Sequence, residues 1–202
     1  MTKTIVLTML TLMVFVPSAL IGQNIRQSYS GKLGFYAPGD GLNNGFMIGA
    51  DGITEFLRFD FSLNLTADLY FKQSFNFFKD PKPEILRQQI VLIPIHAGAA
   101  YKIFDVADAE SRGYVGAGAG YYLYFYGIDY RSNSGGLLGS ALTQSESKNG
   151  GNFFAVLFAR ILIGQVFVEP KWYLATKDED AVGAHAFVVN PSGFSIALGF
   201  QY

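Results

Sequence analysis

The chain holds two histidines, His96 and His185, and no cysteine in 202 residues. Without thiols, disulfide scaffolds, thiolate metal sites and cysteine nucleophiles are excluded. A histidine acting as a base needs a nucleophile and an orienting acid within reach. His96 shares its alternating face with Pro94 and Lys102, and no local motif supplies those partners. His185 stands near Ser192 in a polar connection and reads as a solvated loop histidine. The run from Gly116 to Gly120 alternates Gly with Ala. It lacks the spacing of a phosphate loop, and no Lys-Ser/Thr pair follows it. Asp178, Glu179 and Asp180 are contiguous, without the alternating ligands and turn glycine of a calcium loop. No catalytic, cofactor-binding or metal residue is therefore assigned, and no cofactor is expected.

What remains is a set of charged side chains in otherwise apolar segments: Lys32, Arg58, Asp60, Lys72, Lys102, Arg160, Glu169 and Lys171. Their chemistry depends on which way their backbone presents them. Composition narrows the choice. Hydrophobic residues make up 50% of the chain, aromatic residues 16% and charged residues 15%, and the net charge is −1. That balance argues against disorder and gives no electrostatic case for nucleic acid as a partner.

Period two dominates the pattern. Phe194, Ile196, Leu198, Phe200 and Tyr202 alternate with Ser195, Ala197, Gly199 and Gln201. Val115, Ala117, Ala119, Tyr121, Leu123 and Phe125 alternate with Gly and Tyr, and Val166 to Leu174 follows the same rule. Such alternation marks strands with one apolar face. Eight are predicted, at 28–37, 44–63, 67–78, 87–104, 113–128, 152–163, 165–175 and 193–202. The second carries a parity break near Asp51 to Glu55, read as a bulge or an extension beyond the membrane. Links near Asn64–Thr66, Asp105–Arg112 and Gly164 are short; those near Pro38–Asn43, Phe78–Leu86, Ile128–Gly151 and Thr176–Ser192 are longer. Residues 128–151, rich in Gly, Ser and Asn, are expected to face outward and move freely.

Met1 to Gly22 reads as a secretory signal peptide. Lys3 is its positive region and Thr4 to Val16 its apolar core, too short to span a bilayer. Cleavage falls after Gly22 or after Ala19, leaving residues 23–202 as one domain. The mature chain then has 14 Lys and Arg against 16 Asp and Glu.

An even number of strands, alternating tight and long links and export without disulfides together predict an all-β fold. The expected form is an eight-stranded antiparallel up-and-down transmembrane β-barrel, with tight turns and both termini periplasmic. A bilayer offers the backbone no hydrogen-bond partners, so strands can cross it only as a closed sheet. A lipocalin-like soluble barrel, with its apolar face inward, is the alternative. Eight strands leave an interior that side chains can fill. Charges on the lipid face cost about 2–4 kcal/mol at the midplane for Lys or Arg, so the eight named residues are expected to face the lumen and pair. Arg160 and Glu169 flank the tight link at Gly164 and are expected to meet across it. Trp172, Phe75, Phe77, Phe200 and Tyr202 fit aromatic girdles at the two interfaces.

The segments GYVGAGAGYYLYFY (113–126), QVFVEPKWYL (165–174) and FSIALGFQY (194–202) carry a further reading. On them the chain resembles the outer-membrane β-barrel family common in Bacteroidota, which includes PorT-like proteins. It is more distantly similar to the barrel of outer-membrane protein A. The resemblance implies a Gram-negative outer membrane, its lipid as surroundings, and the barrel-assembly machinery as a partner during insertion. Phe200 and Tyr202 would be the assembly signal. It also implies a non-enzymatic protein whose outward loops serve a structural role or bind a partner of unknown identity. A narrow pore with a positively charged lumen is one alternative. A lipid-modifying enzyme is another, without a recognisable His–Ser signature.

Overall fold

A computed structural model describes residues 25–39, 42, 44–74, 85–132, 142–182 and 185–202. The leader and the two girdle residues Phe75 and Phe77 lie outside them.

Eight strands close into one antiparallel ring. They are β1 (Ile25–Pro38), β2 (Gly45–Phe56), β3 (Phe61–Ser74), β4 (Ile85–Val106), β5 (Ser111–Ser132), β6 (Leu142–Ile163), β7 (Val166–Ala175) and β10 (Gly193–Gln201). Each pairs with its predecessor, and β10 returns to β1, setting Ser30 opposite Gln201 and Pro38 opposite Gly193. A separate hairpin, β8 (Asp178–Val182) and β9 (His185–Val189), stands between β7 and β10. No described helix is long and apolar enough to cross a membrane.

The polarity is inverted relative to a soluble barrel. Leu33, Phe35, Phe46, Ile48, Leu63, Phe71, Val115, Leu157, Val168, Trp172, Ile196 and Leu198 are all exposed on the outer face. This band runs from Phe61 to Phe71 on β3, Phe153 to Ile163 on β6 and Val166 to Leu174 on β7. Those are the spans of about 9–11 residues that a tilted strand needs to cross a bilayer. The chain is an eight-stranded transmembrane barrel, and the lipocalin alternative fails on this inversion.

The ring departs from the predicted boundaries at specific places. The β2–β3 turn is Leu57–Asp60, where Phe59 N–H bonds Phe56 O and Asp60 takes a left-handed φ of 50°. It is not at Asn64–Thr66, which lie inside β3 with Asn64 and Thr66 facing the lumen. Nor does β2 bulge near Asp51. It pairs with β1 and β3 without a register shift, and Asp51, Ile53 and Glu55 all face inward. Most of 128–151 is strand, since β5 continues to Ser132 and β6 begins at Leu142. The intervening 133–141 lie outside the described residues. Finally, 176–192 holds the β8–β9 hairpin, so Asp178 and Glu179 belong to a strand.

The lumen is filled in tiers. Nearest the long connections is an aromatic tier of Tyr36, Tyr70, Tyr122, Tyr124, Tyr126, Phe154 and Tyr173. Phe187 of β9 folds onto it and stacks on Tyr126 at 4.3 Å between ring centroids. Ser192 fastens the hairpin's return, its hydroxyl donating to Ala175 O and accepting from Ala175 N–H, both at 2.9 Å. Beneath lies the charged tier, and nearest the tight turns a polar one around Glu55, Ser62 and Tyr114.

Candidate functional site: a charge plug in the lumen

Period-two geometry sends every second side chain of β1, β2, β3, β6 and β7 into the same small interior. Three cations and three carboxylates meet there: Lys32, Arg160 and Lys171 with Asp51, Asp68 and Glu169, all buried. Lys32 Nζ donates to Asp51 Oδ1 at 2.6 Å and Glu169 Oε1 at 3.0 Å, and lies 3.2 Å from Asp68 Oδ1. Arg160 Nε donates to Glu169 Oε2 at 2.8 Å. Its Nη2 reaches Asp51 Oδ2 at 2.6 Å and also contacts Glu169 Oε2. Lys171 Nζ lies 3.1 Å from Glu169 Oε1 and 3.4 Å from Asp68 Oδ2. Ser30 and Thr66 hydroxyls donate to Asp51 at 2.8 and 2.7 Å, and Tyr173 donates to Asp68 at 3.1 Å.

The register explains these contacts. Ile161 pairs with Val168 and Phe158 with Lys171, which brings residue 160 opposite 169. Lys32 is opposite Gly49, and Gly49 is opposite Asp68. Lys32 therefore reaches Asp68 across β2, and only a residue without a side chain leaves that path open. A Cβ on Gly49 would fall 2.0 Å from Asp68 Oδ1 and 2.8 Å from Lys32 Cε. Gly49→Ala is expected to lower the unfolding free energy of the refolded barrel by about 1–3 kcal/mol, the range for overpacking. Denaturant titration in detergent measures it. An unchanged midpoint would mean that no bridge crosses over β2.

The eight charged residues named from the sequence separate into two groups. Lys32, Arg160, Glu169 and Lys171 come together in the plug. Arg58 and Asp60 do not reach the lumen: both are exposed in the β2–β3 turn. They fall on the inward parity only if β2 is extended through that turn. Lys72 sits at the long-connection mouth, donating to Asn44 O at 2.9 Å. Lys102 lies at the tight-turn end, 3.0 Å from Asp60 and 2.8 Å from Asp105. Its hydrogen bonds to Asp105 and Asp60 raise its pKa, and the same bond holds the Asp105 carboxyl below its ordinary range. Asp51 and Asp68 were not assigned from sequence, although they share the inward parity of Met47 and Tyr70.

The plug holds its six charges in ion pairs and hydrogen bonds. His96 is buried in the lumen opposite Thr66 and Gly120, its ring edge-on to Phe154 at 5.9 Å. Neither ring nitrogen has a hydrogen-bond partner among the described residues. His185 opens β9; its side chain is outside what the structure describes. Among the described residues no cluster of His, Asp and Glu could hold a metal ion. Phe200 and Tyr202 point outward at the closing seam. There Tyr29 and Tyr202 exchange backbone hydrogen bonds at 3.0 and 2.9 Å.

No protein-family model matches the chain, and no curated protein matches it. Solved structures similar in form include the following three. The Neisserial surface protein A, NspA, has 14% identity and a TM-score of 0.48, covering 89% of this chain and 98% of its own. A major outer membrane protein from Thermus thermophilus has 12% identity and a TM-score of 0.47, covering 88% and 100%. Ail, the attachment invasion locus protein of Yersinia pestis, has 11% identity and a TM-score of 0.46, covering 89% and 98%. At such scores they add nothing to what the ring and its inverted faces establish.

Proposed function

We propose that this chain is a small integral outer-membrane protein of a Gram-negative bacterium, non-enzymatic, with a closed lumen and a structural or partner-binding role for its outward loops. The observation that carries the reading is the plug itself. Inside an apolar belt, three cations and three carboxylates cancel each other and leave no charged path for a solute. The positive-pore alternative depended on an excess of lysine and arginine in the lumen. With Asp51 and Asp68 inside, Arg58 and Asp60 in the β2–β3 turn, and Lys72 and Lys102 at the two ends of the barrel, that excess is gone.

Residues 1–22 act in this reading as the export leader. The barrel-assembly machinery receives the mature chain, and the tight turns and both termini stay in the periplasm. The PorT-like, Bacteroidota-type kinship rests on the three segments that suggested it.

The mature protein should fractionate with outer membranes and migrate differently in detergent gels before and after heating. Reconstituted in a planar bilayer, it should give no discrete conductance steps. Recovery as a soluble periplasmic monomer would sink the localisation, and sustained single-channel steps would restore the pore. Deleting Phe200 to Tyr202 should remove most of the protein from the outer membrane, as read by immunoblot of fractions. Undiminished levels would mean that these residues are no assembly signal.

A further inference from the structure

Between the plug and the tight-turn end lies a second feature, distinct from the ion pairs. A cavity of about 20 Å³ is lined by Ser62, Asn64, Glu55, Tyr114, Phe158, Arg160 and Gln201, among others. Two of these residues carry a buried polar atom without a partner among the described residues, Arg160 Nη1 and Asn64 Oδ1. Arg160 commits its other two nitrogens to Glu169 and Asp51, so Nη1 is the donor left over.

We infer that this cavity is a binding site for a single ordered water, held between Arg160 Nη1 and Asn64 Oδ1. The volume is right, since one water needs roughly 10–15 Å³ of such space and two to four polar partners. The chemistry selects water over an anion. An anion would be welcomed by the guanidinium but would face the Asn64 oxygen and the Glu55 carboxylate. Water can both donate to the oxygen and accept from Nη1, which an anion cannot do.

The supply route is on the same side. A vestibule of about 250 Å³ opens at the tight turns, between Arg26, Asp60, Lys102, Asp105 and Arg112. Glu55 and Tyr114 line both spaces, joined by a 2.7 Å hydrogen bond from Tyr114 OH to Glu55 Oε1. That pair is the partition between bulk water and the site. On the plug's other side the filling is aromatic. The Arg160 side of the plug is thus hydrated from the tight-turn end, which gives the guanidinium of Arg160 a polar contact for each of its nitrogens.

Hydroxyl-radical footprinting by X-ray pulses tests this on the intact, refolded protein. Radicals form from bound water as well as bulk water, so a buried ring beside a bound water is oxidised. Phe158 lines the cavity and Phe154 lies in the aromatic tier; they are 7% and 5% exposed. Phe158 should be oxidised several-fold faster than Phe154. In Asn64→Leu, which removes the acceptor and fills the space, Phe158 should fall to the rate of Phe154. Equal rates in the unaltered protein would overturn the inference whether or not the variant folds. So would a crystal soaked in bromide that shows anomalous density at Arg160 Nη1, since the site would then be an anion site.

Discussion

Glu169→Gln is expected to weaken the folded barrel by about 3–5 kcal/mol, the range for removing one partner from a buried ion pair. Glu169 accepts from Arg160 and Lys32 and lies beside Lys171, with none of its side chain exposed. Glutamine keeps the shape and removes the charge. Three cations then share two carboxylates in an interior where unpaired charge is poorly solvated. Pairing with Arg160→Met makes the test sharper. The double variant restores the balance, with two cations against two carboxylates, and should lose less than the sum of the singles. Unfolding in detergent, followed through Trp172, the one tryptophan, provides the measurement. Strict additivity would show that Arg160 and Glu169 do not act on each other.

Leu198→Arg should cost about 2–4 kcal/mol in lipid vesicles, as a cation placed on the lipid face near the midplane does. Leu198 lies in the middle of β10 and is 60% exposed. Were that face in water, exchanging leucine for arginine would be neutral or favourable. The sign of the change therefore reports the solvent outside the barrel, independently of fractionation. Gln201→Arg, pointing to the lumen beside Ser28, is a poor substitute, because it alters the interior. A stability equal to the parent's would return the outer face to water.

The parity of β10 was legible because large outward groups alternate without interruption with Ser195, Ala197, Gly199 and Gln201, and that of β5 and β7 because glycines, tyrosines or charges alternate with outward apolar groups. The Arg160–Glu169 approach was legible for a related reason: one tight link, with Gly164 at φ 60°, fixes the register of the two strands it joins. The β2–β3 turn was hidden by its own residues. Leu57 and Phe59 are as apolar as Phe61 and Leu63, and they continue the alternation straight through the bend. Asn64 and Thr66 have the composition of a turn, but their polarity serves the lumen. Placing the turn there cut β3 short. The supposed break in β2 left Asp51 without a face, while Asp68 shares the inward parity of Lys72 and was simply not counted, so two of the plug's three carboxylates went unseen. The β8–β9 hairpin was hidden differently. Its acidic strand carries no alternation of its own, and Phe187 and Val189 are buried by the barrel's aromatic tier, a contact no local pattern announces.

Ring closure has a kinetic consequence. Seven of the eight seams join strands that follow one another around the ring in chain order, so each can form soon after its two strands exist. The eighth joins Ser30 to Gln201, nearly the whole chain apart. Closing so long a loop costs entropy that local contacts do not offset, and pairings of this kind slow folding. Until it forms, β1 and β10 each present an open edge to any other chain. Refolding should therefore show early hairpin formation and one late step that depends on β10, and the interval between them is when this barrel is most exposed to aggregation.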